Sequence, residues 1–526
     1  MSTLRDNAEY DVVVVGFGPS GAVAAALLGQ AGVRTLVVDR EATVYPKPRA
    51  IALDHEIMRV FQNLGIADQV APHCEPFTPS EYYGVDGQLI KRLATVAPPY
   101  PLGHTPSMVF TQPPVEAALR AHVSALASVD VVLGQRFISL EQTDTRAQLQ
   151  FEANNGTRTS INARYVIGCD GASSAVREAV GIELEDLQFD EPWLVVDVQV
   201  NDAGLAKLPT TSVQFCEPAR PCTYVIGPGR HRRWEISLLE GEDPAYMATE
   251  EGAWSVLKRW IGPQDATLWR QASYRFHALV AREWRVGRVF IAGDAAHQQP
   301  PFLGQGMCQG VRDVANLTWK LRAALKGEGG DGLLDTYAIE RREHVRRLTS
   351  RIKEIGSVIC ERDVGAARAR DAALIEQAGG EIKTVARQDI IPPLVGGLLA
   401  DGAHAGVGSL FPQPKVGAEH GPVLLDELTG CGWRIVTTTP LDELPRGLRA
   451  LAQSVGLLVS VGQGDMPALR AADKLQVGEL EGVASRWFER HACSAAIVRP
   501  DHYVYGVAQN ADALHAQLAG LLVRLA

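Results

Sequence analysis

The chain has no C-x-x-C pair, no surplus of basic residues and no long apolar run, and each absence removes a class of function. Its eight cysteines are scattered over 526 residues. That usage fits free thiols in a reducing compartment better than a disulfide framework or a zinc site, so no metal is expected. Lys and Arg number 51 against 61 Asp and Glu, a formal charge of -10. This argues against the basic footprint of a nucleic-acid binder. No apolar stretch approaches the roughly 18 residues that span a bilayer. The opening segment MSTLRDNAEY is polar and lacks the apolar core of a secretory signal. The expectation is a cytoplasmic protein with neither a membrane nor a nucleic-acid partner.

What is present is a chain 46% hydrophobic and 21% charged, long enough for two or three domains with large cores. Its organising stretch is Asp11 to Asp39, DVVVVGFGPSGAVAAALLGQAGVRTLVVD. A buried parallel strand runs into Gly16, Gly18 and Gly21, spaced G-x-G-x-x-G. An Ala-rich helix, a second apolar strand and Asp39 follow. Gly16 permits the tight turn, Gly18 leaves room for a pyrophosphate, and Gly21 lets helix and strand pack closely. The free N–H groups at the helix start face the phosphates, and Asp39 is placed to accept hydrogen bonds from a ribose. This motif leaves NAD and FAD equally open.

Further along, two prolines mark a loop carrying Arg49, and Asp54 is placed to cap a helix from His55 to Leu64. Gln112 stands just before a helix with proline in its first turn, well placed to face a ligand. Residues 129–167 read as strands, with a hairpin turn at Asn155-Gly156. Residues 193–240 alternate in the β manner and read as an antiparallel sheet offering a face to a substrate. Helices are expected over Ala245–Ile261, Cys308–Leu325 and Leu333–Ile355. The run ERREHVRRLTSRIK in the last is read as a solvated face. The Pro- and Gly-rich stretch Ile390–Ser409 reads as a linker, followed by a separate α/β pattern.

A second signature, RVFIAGDAAHQQPPFLGQGMCQGVRDVANLTWKL, decides the cofactor. A strand ends at Gly293-Asp294, placing a carboxylate where it can hold a hydroxyl of a polyol chain. Pro300 and Pro301 stiffen the next turn. Gly304, Gln305 and Gly306 leave backbone N–H groups unpaired before a long helix, whose positive end suits the anionic edge of a reduced flavin. These residues would be idle in a nicotinamide-only enzyme. A third element, CDGASSAVREAVGI, ends a strand at Asp170-Gly171 and brings Arg177 near a pyrophosphate. Alone it reads as a structural turn; beside the other two it gains weight.

These three motifs, in this order over residues 1–390, resemble the class A FAD-dependent aromatic hydroxylases, the para-hydroxybenzoate hydroxylase-like superfamily. The branch they are most similar to is the 3-(3-hydroxyphenyl)propionate hydroxylases, through YPKPRAIALDHEIMR, QFCEPARP, GDAAHQQPPFLGQG and DTYAIERREH, and beyond the linker through LFPQPKV, LLDEL, RWFERH and IVRPD. The resemblance implies an α/β protein: a Rossmann-type (GR2-like) FAD-binding domain, an inserted antiparallel-sheet substrate domain and a C-terminal thioredoxin-like domain. The boundaries expected are 1–77, 111–184 and 285–390 for the first; 78–110 and 185–284 for the second; 391–409 for a linker; and 410–526 for the third. Without C-x-x-C, the third is expected to do no dithiol chemistry.

The same resemblance implies the site. Gly16, Gly18, Ser20 and Gly21 hold the FAD pyrophosphate, and Asp39, where relatives more often have Glu, binds the adenosine ribose. Arg40, Arg49 and Gln112 lie along the cofactor, and Asp170 belongs to the Asp-Gly turn. Gly293 and Asp294 hold the ribityl chain, while Pro301, Gly304, Gly306 and Met307 line the isoalloxazine. NADH or NADPH reduces the flavin, O₂ adds at C4a to give a hydroperoxide, and a small phenol is hydroxylated ortho to its hydroxyl.

Candidates for deprotonating the phenol are His297, beside Asp294, and the pair Asp54-His55. Each has a plainer alternative: shaping a turn for His297, a surface place at a helix start for His55. Phe215, Tyr224 and Phe302 are candidate ring contacts, with a core role as the alternative. Arg220 is the candidate partner for a substrate carboxylate, with a solvated surface role as its alternative. Polyketide phenols and resorcinol-type rings stay open as substrates, as do an FAD reductase that never uses O₂, a nicotinamide-only dehydrogenase, a tail acting only as a binding module, and a homodimer.

Overall fold

The computed structural model describes residues 4–382, 384–402, 404–464 and 466–525. The run of buried valines in β1 (Ala8–Val15) forms the centre of a parallel sheet. It feeds α1 (Pro19–Gln30), which carries proline in its first turn, and returns as β2 (Thr35–Asp39). Helix α1 is alanine-rich because it is buried on nearly every side, with Ala24, Ala25 and Ala26 fully covered. Asp54 caps α2 (His55–Asn63) as expected, accepting from the N–H groups of Glu56 and Ile57. Helix α3 (Gln112–Ser124) and strand β3 (Arg158–Gly168) complete the frame. Strand β1 lies between β2 and β3, parallel to both, with Val12 opposite Thr35 and Tyr165.

A second sheet stands against this frame. Its middle is built from β4 (Leu184–Val200), β5 (Ser212–Phe215), β6 (Cys222–Ile226), β7 (His231–Ser237) and β8 (Ala266–Ala281). The order is β8-β4-β7-β6-β5, antiparallel throughout. One face is an apolar core, including Tyr224, Trp234, Ile236 and Leu257. The helix expected over 245–261 is split into Pro244–Met247 and Glu250–Leu257, because Thr249 caps the second piece. The sheet also recruits Thr384–Ala386, which pairs in parallel with Leu89–Ala94. Ser107–Phe110 instead joins a small sheet with Ala52–Asp54 and Cys74–Pro76. The antiparallel sheet is therefore extended at its edge by a segment far along the chain, while part of 78–110 sits with the parallel-sheet frame.

Two long helices follow, α4 (Gly306–Lys326) and α5 (Asp331–Cys360). The basic run on α5 is not a solvated face. Glu340, Arg341 and His344 are buried, and Arg342 and Arg346 turn to Glu185. The reason is that α4, β4 and the C-terminal part of the chain together cover the helix. Among the described residues, 391–409 contain no helix or strand, yet Leu394, Leu398 and Leu399 are buried. The last part is built on β9 (Arg434–Thr437), β10 (Leu457–Gln463), β11 (Ala495–Val498), β12 (Val504–Ala508) and α6 (Ala511–Leu525). The strand order is β10-β9-β11-β12, with the first pair parallel and the others antiparallel. No helix among the described residues is long and apolar enough to cross a membrane.

Candidate active site

One cavity of about 790 Å³ runs from the glycine turn after β1, across the carboxyl ends of the parallel strands, to the free face of the antiparallel sheet. Gly16 has φ +102°, and a Cβ there would lie 2.3 Å from the Cys169 carbonyl oxygen. At Gly21 a Cβ would meet the Gly16 oxygen at 1.9 Å. Both glycines are fixed by backbone approach. Gly18 differs: it lines the cavity, and a Cβ would find nothing within 4 Å. Gly306, the first residue of α4, is open to the cavity in the same way. Two helix starts therefore present bare backbone to one space, which fits a ligand with a phosphate group at one end and an anionic edge at the other.

Between these ends the expected cofactor residues converge. Ser20, Asp39, Arg40, Arg49, Gln112, Asp170, Asp294, Pro301, Gly304 and Met307 all border the cavity. Asp39 is oriented by the N–H groups of Phe17 (2.5 Å) and Glu41 (2.7 Å). Asp170 accepts from the Ser174 hydroxyl at 2.5 Å and the Val176 N–H at 3.0 Å, and burial pushes its carboxyl upward. Asp294 opens into the cavity, where enclosure by the protein raises its carboxyl against the pull of His297 and Arg49. Gly21 and Gly293 stand behind the wall. Gly293 has φ +62° and allows contact with Ser20, since a Cβ would meet its hydroxyl at 2.7 Å.

The loop carrying Arg49 is clamped from both sides. The Gln112 side-chain oxygen accepts from the N–H groups of Arg49 (3.2 Å) and Ala50 (2.6 Å). From the sheet, Arg270 donates to the Pro48 carbonyl at 2.7 Å and Arg233 to the Arg49 carbonyl at 2.8 Å. Asp197 holds both arginines, at 2.7 Å from Arg233 and 3.5 Å from Arg270. Burial alone would raise Asp197, but Arg233 and His231 override it and hold the carboxyl low. The shape of the Arg49 loop is thus set by the antiparallel sheet.

The expected catalytic and substrate residues fare differently. Phe302 does line the cavity, set edge-on to Trp193 at 5.5 Å. His297 does not: it is 1% exposed, stacks on Trp284 and bonds Asp313 at 2.8 Å. Its role as a base is corrected to that of a core pair. Asp54 is buried against Arg312, and the Arg312 guanidinium overrides the effect of burial and keeps the carboxyl low. Burial drives His55 down to about 4, and neither residue borders the cavity. Arg220 is spent on Glu242 at 2.6 and 3.0 Å. Phe215 and Tyr224 point to the opposite face of the sheet, against Trp260 and Trp234. Their immediate neighbours Gln214, Thr223 and Val225 face the cavity instead. Strand alternation made the choice a single-residue slip. The groups missed are Gln214, Thr223, Arg233, Glu235, Arg270, Tyr274 and Arg387.

The family model described as FAD binding domain matches residues 9–352, and that described as HcaD C-terminal domain matches 408–521. A Rhodococcus jostii (strain RHA1) protein named "Probable NADH-specific resorcinol 4-hydroxylase" is 38% identical over 98% of this chain and 94% of its own. A "3-(3-hydroxy-phenyl)propionate/3-hydroxycinnamic acid hydroxylase" of Mycobacterium sp. (strain JLS) is 32% identical over 99% of this chain and 93% of its own. The crystal structure of the flavin-dependent monooxygenase PieE, in complex with FAD and substrate, shares the fold, with a TM-score of 0.79 at 22% identity over 99% of this chain and 100% of its own. The p-nitrophenol 4-monooxygenase PnpA from Pseudomonas putida DLL-E4 aligns with a TM-score of 0.65 at 26% identity, over 74% of this chain and 97% of its own. The chain belongs to the FAD binding domain family, as an FAD-dependent aromatic-ring monooxygenase that takes a reduced nicotinamide and O₂.

Proposed function

We propose that the chain hydroxylates a small phenol ortho to an existing hydroxyl, with the flavin held along the glycine turns and the phenol against the free face of the antiparallel sheet. The observation that carries this is the continuity of the cavity. Gly304, Gly306 and Met307 on one wall stand across the same space from Gln214, Thr223 and Glu235 on the other. When bound, the flavin supplies electron transfer from the nicotinamide and the activated oxygen atom. The protein's share is to position and shield. Gln112, Arg233 and Arg270 fix the Arg49 loop over the cofactor. Phe302 and Trp193 keep water from one end of the ring site. A phenol with a pKa of about 10 needs roughly 4 kcal/mol to become phenolate near pH 7.

Two substrate classes divide the support. The 38% identical relative carries resorcinol in its name. A hydroxyphenylpropionate is supported by Arg387, a cavity-lining cation with no carboxylate partner among the described residues. The terminal part is read as thioredoxin-like on its strand order and single closing helix, without a dithiol role. A panel of phenols with NADH and NADPH, scored for hydroxylated product by mass spectrometry, tests the reading. Coenzyme oxidation that yields only peroxide with every phenol would favour the reductase alternative.

A further inference from the structure

One group on the sheet wall has no role in the reading above. Glu235 sits in the middle of β7, with Val195 of β4 and Thr223 of β6 directly beside it on the same face. It is only 5% exposed. Its Oε2 is sealed from solvent and has no hydrogen-bond partner. The nearest cation, Arg233, stands at 4.0 Å and is already committed to Asp197 and the Arg49 carbonyl. The Thr223 hydroxyl donates to Gln214 at 2.5 Å. A buried acceptor without a donor is costly. Oε1 has no hydrogen-bond partner among the described residues either and, unlike Oε2, is not sealed, so it is the oxygen open to the cavity.

We propose that Glu235 accepts the hydrogen of the substrate's phenolic hydroxyl at Oε1, and so both activates the ring and fixes which carbon meets the flavin. The assignment rests on the reading of this cavity as a phenol site. The O–H bond of the phenol breaks and the proton bonds to Oε1. The electron pair stays on the phenol oxygen and spreads to the ortho carbons. One ortho carbon takes one oxygen atom from the O₂ of the established activity and loses its hydrogen as a proton, while the other oxygen atom leaves as water with the two electrons that the reduced nicotinamide supplies. The proton on Glu235 then returns to the original oxygen. Burial pushes the Glu235 carboxyl up to about 7, with Arg233 and Arg270 opposing and Asp197 adding. Of the other titratable groups on that face, Tyr274 is engaged by Arg270, and His231, four residues earlier on β7, by Asp197. A base of that strength is matched to neutral pH.

The test uses holoenzyme of the wild type, Glu235→Gln and Glu235→Asp, each checked for bound FAD. Resorcinol and 3-hydroxyphenylpropionate are titrated through the flavin absorbance, and product formation is followed across pH. In the wild type, binding and kcat/KM rise as pH climbs through about 7. Glu235→Gln keeps its FAD, loses that limb and loses about 10²–10³-fold in kcat. Glu235→Asp keeps the limb at a reduced rate and serves if the Gln variant does not retain FAD. A Gln variant with the wild-type limb and rate overturns the assignment. If the wild type makes no product but its binding follows pH and the Gln variant's does not, oxygen transfer fails while Glu235 stands. If neither phenol perturbs the flavin, both readings fall.

Discussion

Gly16 and Gly18 are two residues apart and carry different loads. Gly16 holds a left-handed φ with the Cys169 backbone against it, whereas Gly18 borders open space. Gly16→Ala is therefore expected to damage folding itself, through strain of about 1–3 kcal/mol plus the clash. Gly18→Ala is expected to fold with an unchanged melting temperature as apoprotein and to bind FAD at least tenfold more weakly, since about 1.4 kcal/mol is enough. Melting curves and FAD titration separate the two. A Gly18→Ala protein that binds FAD as tightly as the wild type would refute the phosphate placement. The glycine turns were legible from the sequence because their constraint is local backbone geometry. The role of His297 was not, because its partner Asp313 is shared with the Gly293 N–H and with Arg341 of α5. His297→Phe keeps the stack on Trp284 and drops one buried hydrogen bond. It should lower unfolding free energy by about 1–3 kcal/mol and leave the pH dependence of turnover where it was.

At the scale of elements, the sheet β4–β8 decides what a substrate meets. Both faces are covered, one by the helices over 244–257 and one by the flavin frame. Alternation in the sequence therefore showed a strand without showing which side faced the cavity, and Phe215 and Tyr224 were chosen over Gln214 and Thr223. Tyr224→Ala should cost about 3–5 kcal/mol of stability with little change in KM. Thr223→Val, nearly equal in volume, takes the donor from the buried Gln214 oxygen; it should change phenol KM severalfold and cost about 1–3 kcal/mol of stability. Chemical unfolding and steady-state kinetics on the two variants distinguish the faces. The reverse pattern would mean that the ring binds elsewhere. The basic run of α5 was misjudged for a related reason. Charge on a helix reads as solvated unless the residues that cover it are known, and here they come from three separate places in the chain: Asp313 of α4, Glu185 of β4 and Arg499 of the C-terminal part.

Across the whole molecule, the C-terminal part is fastened to the flavin frame by buried charge. Arg59 of α2 meets Asp426 at 2.6 and 2.9 Å and the Phe411 carbonyl at 2.6 Å. Arg499 meets Glu340 of α5 at 2.6 and 3.0 Å, and Lys320 meets the same carboxylate at 2.8 Å. Tyr503 donates to Glu56, which holds Arg312, which in turn donates to Gln305 in the loop ahead of α4. Burial by itself would raise Asp426 and Glu340; their arginine, histidine and lysine neighbours override it and hold both carboxyls far below the usual range. The stability from these carboxylates is therefore fully present above the unfolded values of about 4. It is lost only as pH falls below them, so the junction should be unmoved between about pH 5 and 8 and open in strong acid. Pairs of this kind contribute little over apolar packing while intact, but removing one partner strands the other at a cost of about 3–5 kcal/mol. Arg499→Met should lose that much in full-length protein, with flavin release and loss of helical signal falling in one transition. Ending the chain before Ser409 strands Arg59 and takes Arg499 from Glu340, leaving that carboxylate to Lys320, and should give aggregated, FAD-free material. A soluble, yellow, active fragment would show instead that the tail is an independent module and that these ion pairs hold nothing the flavin needs.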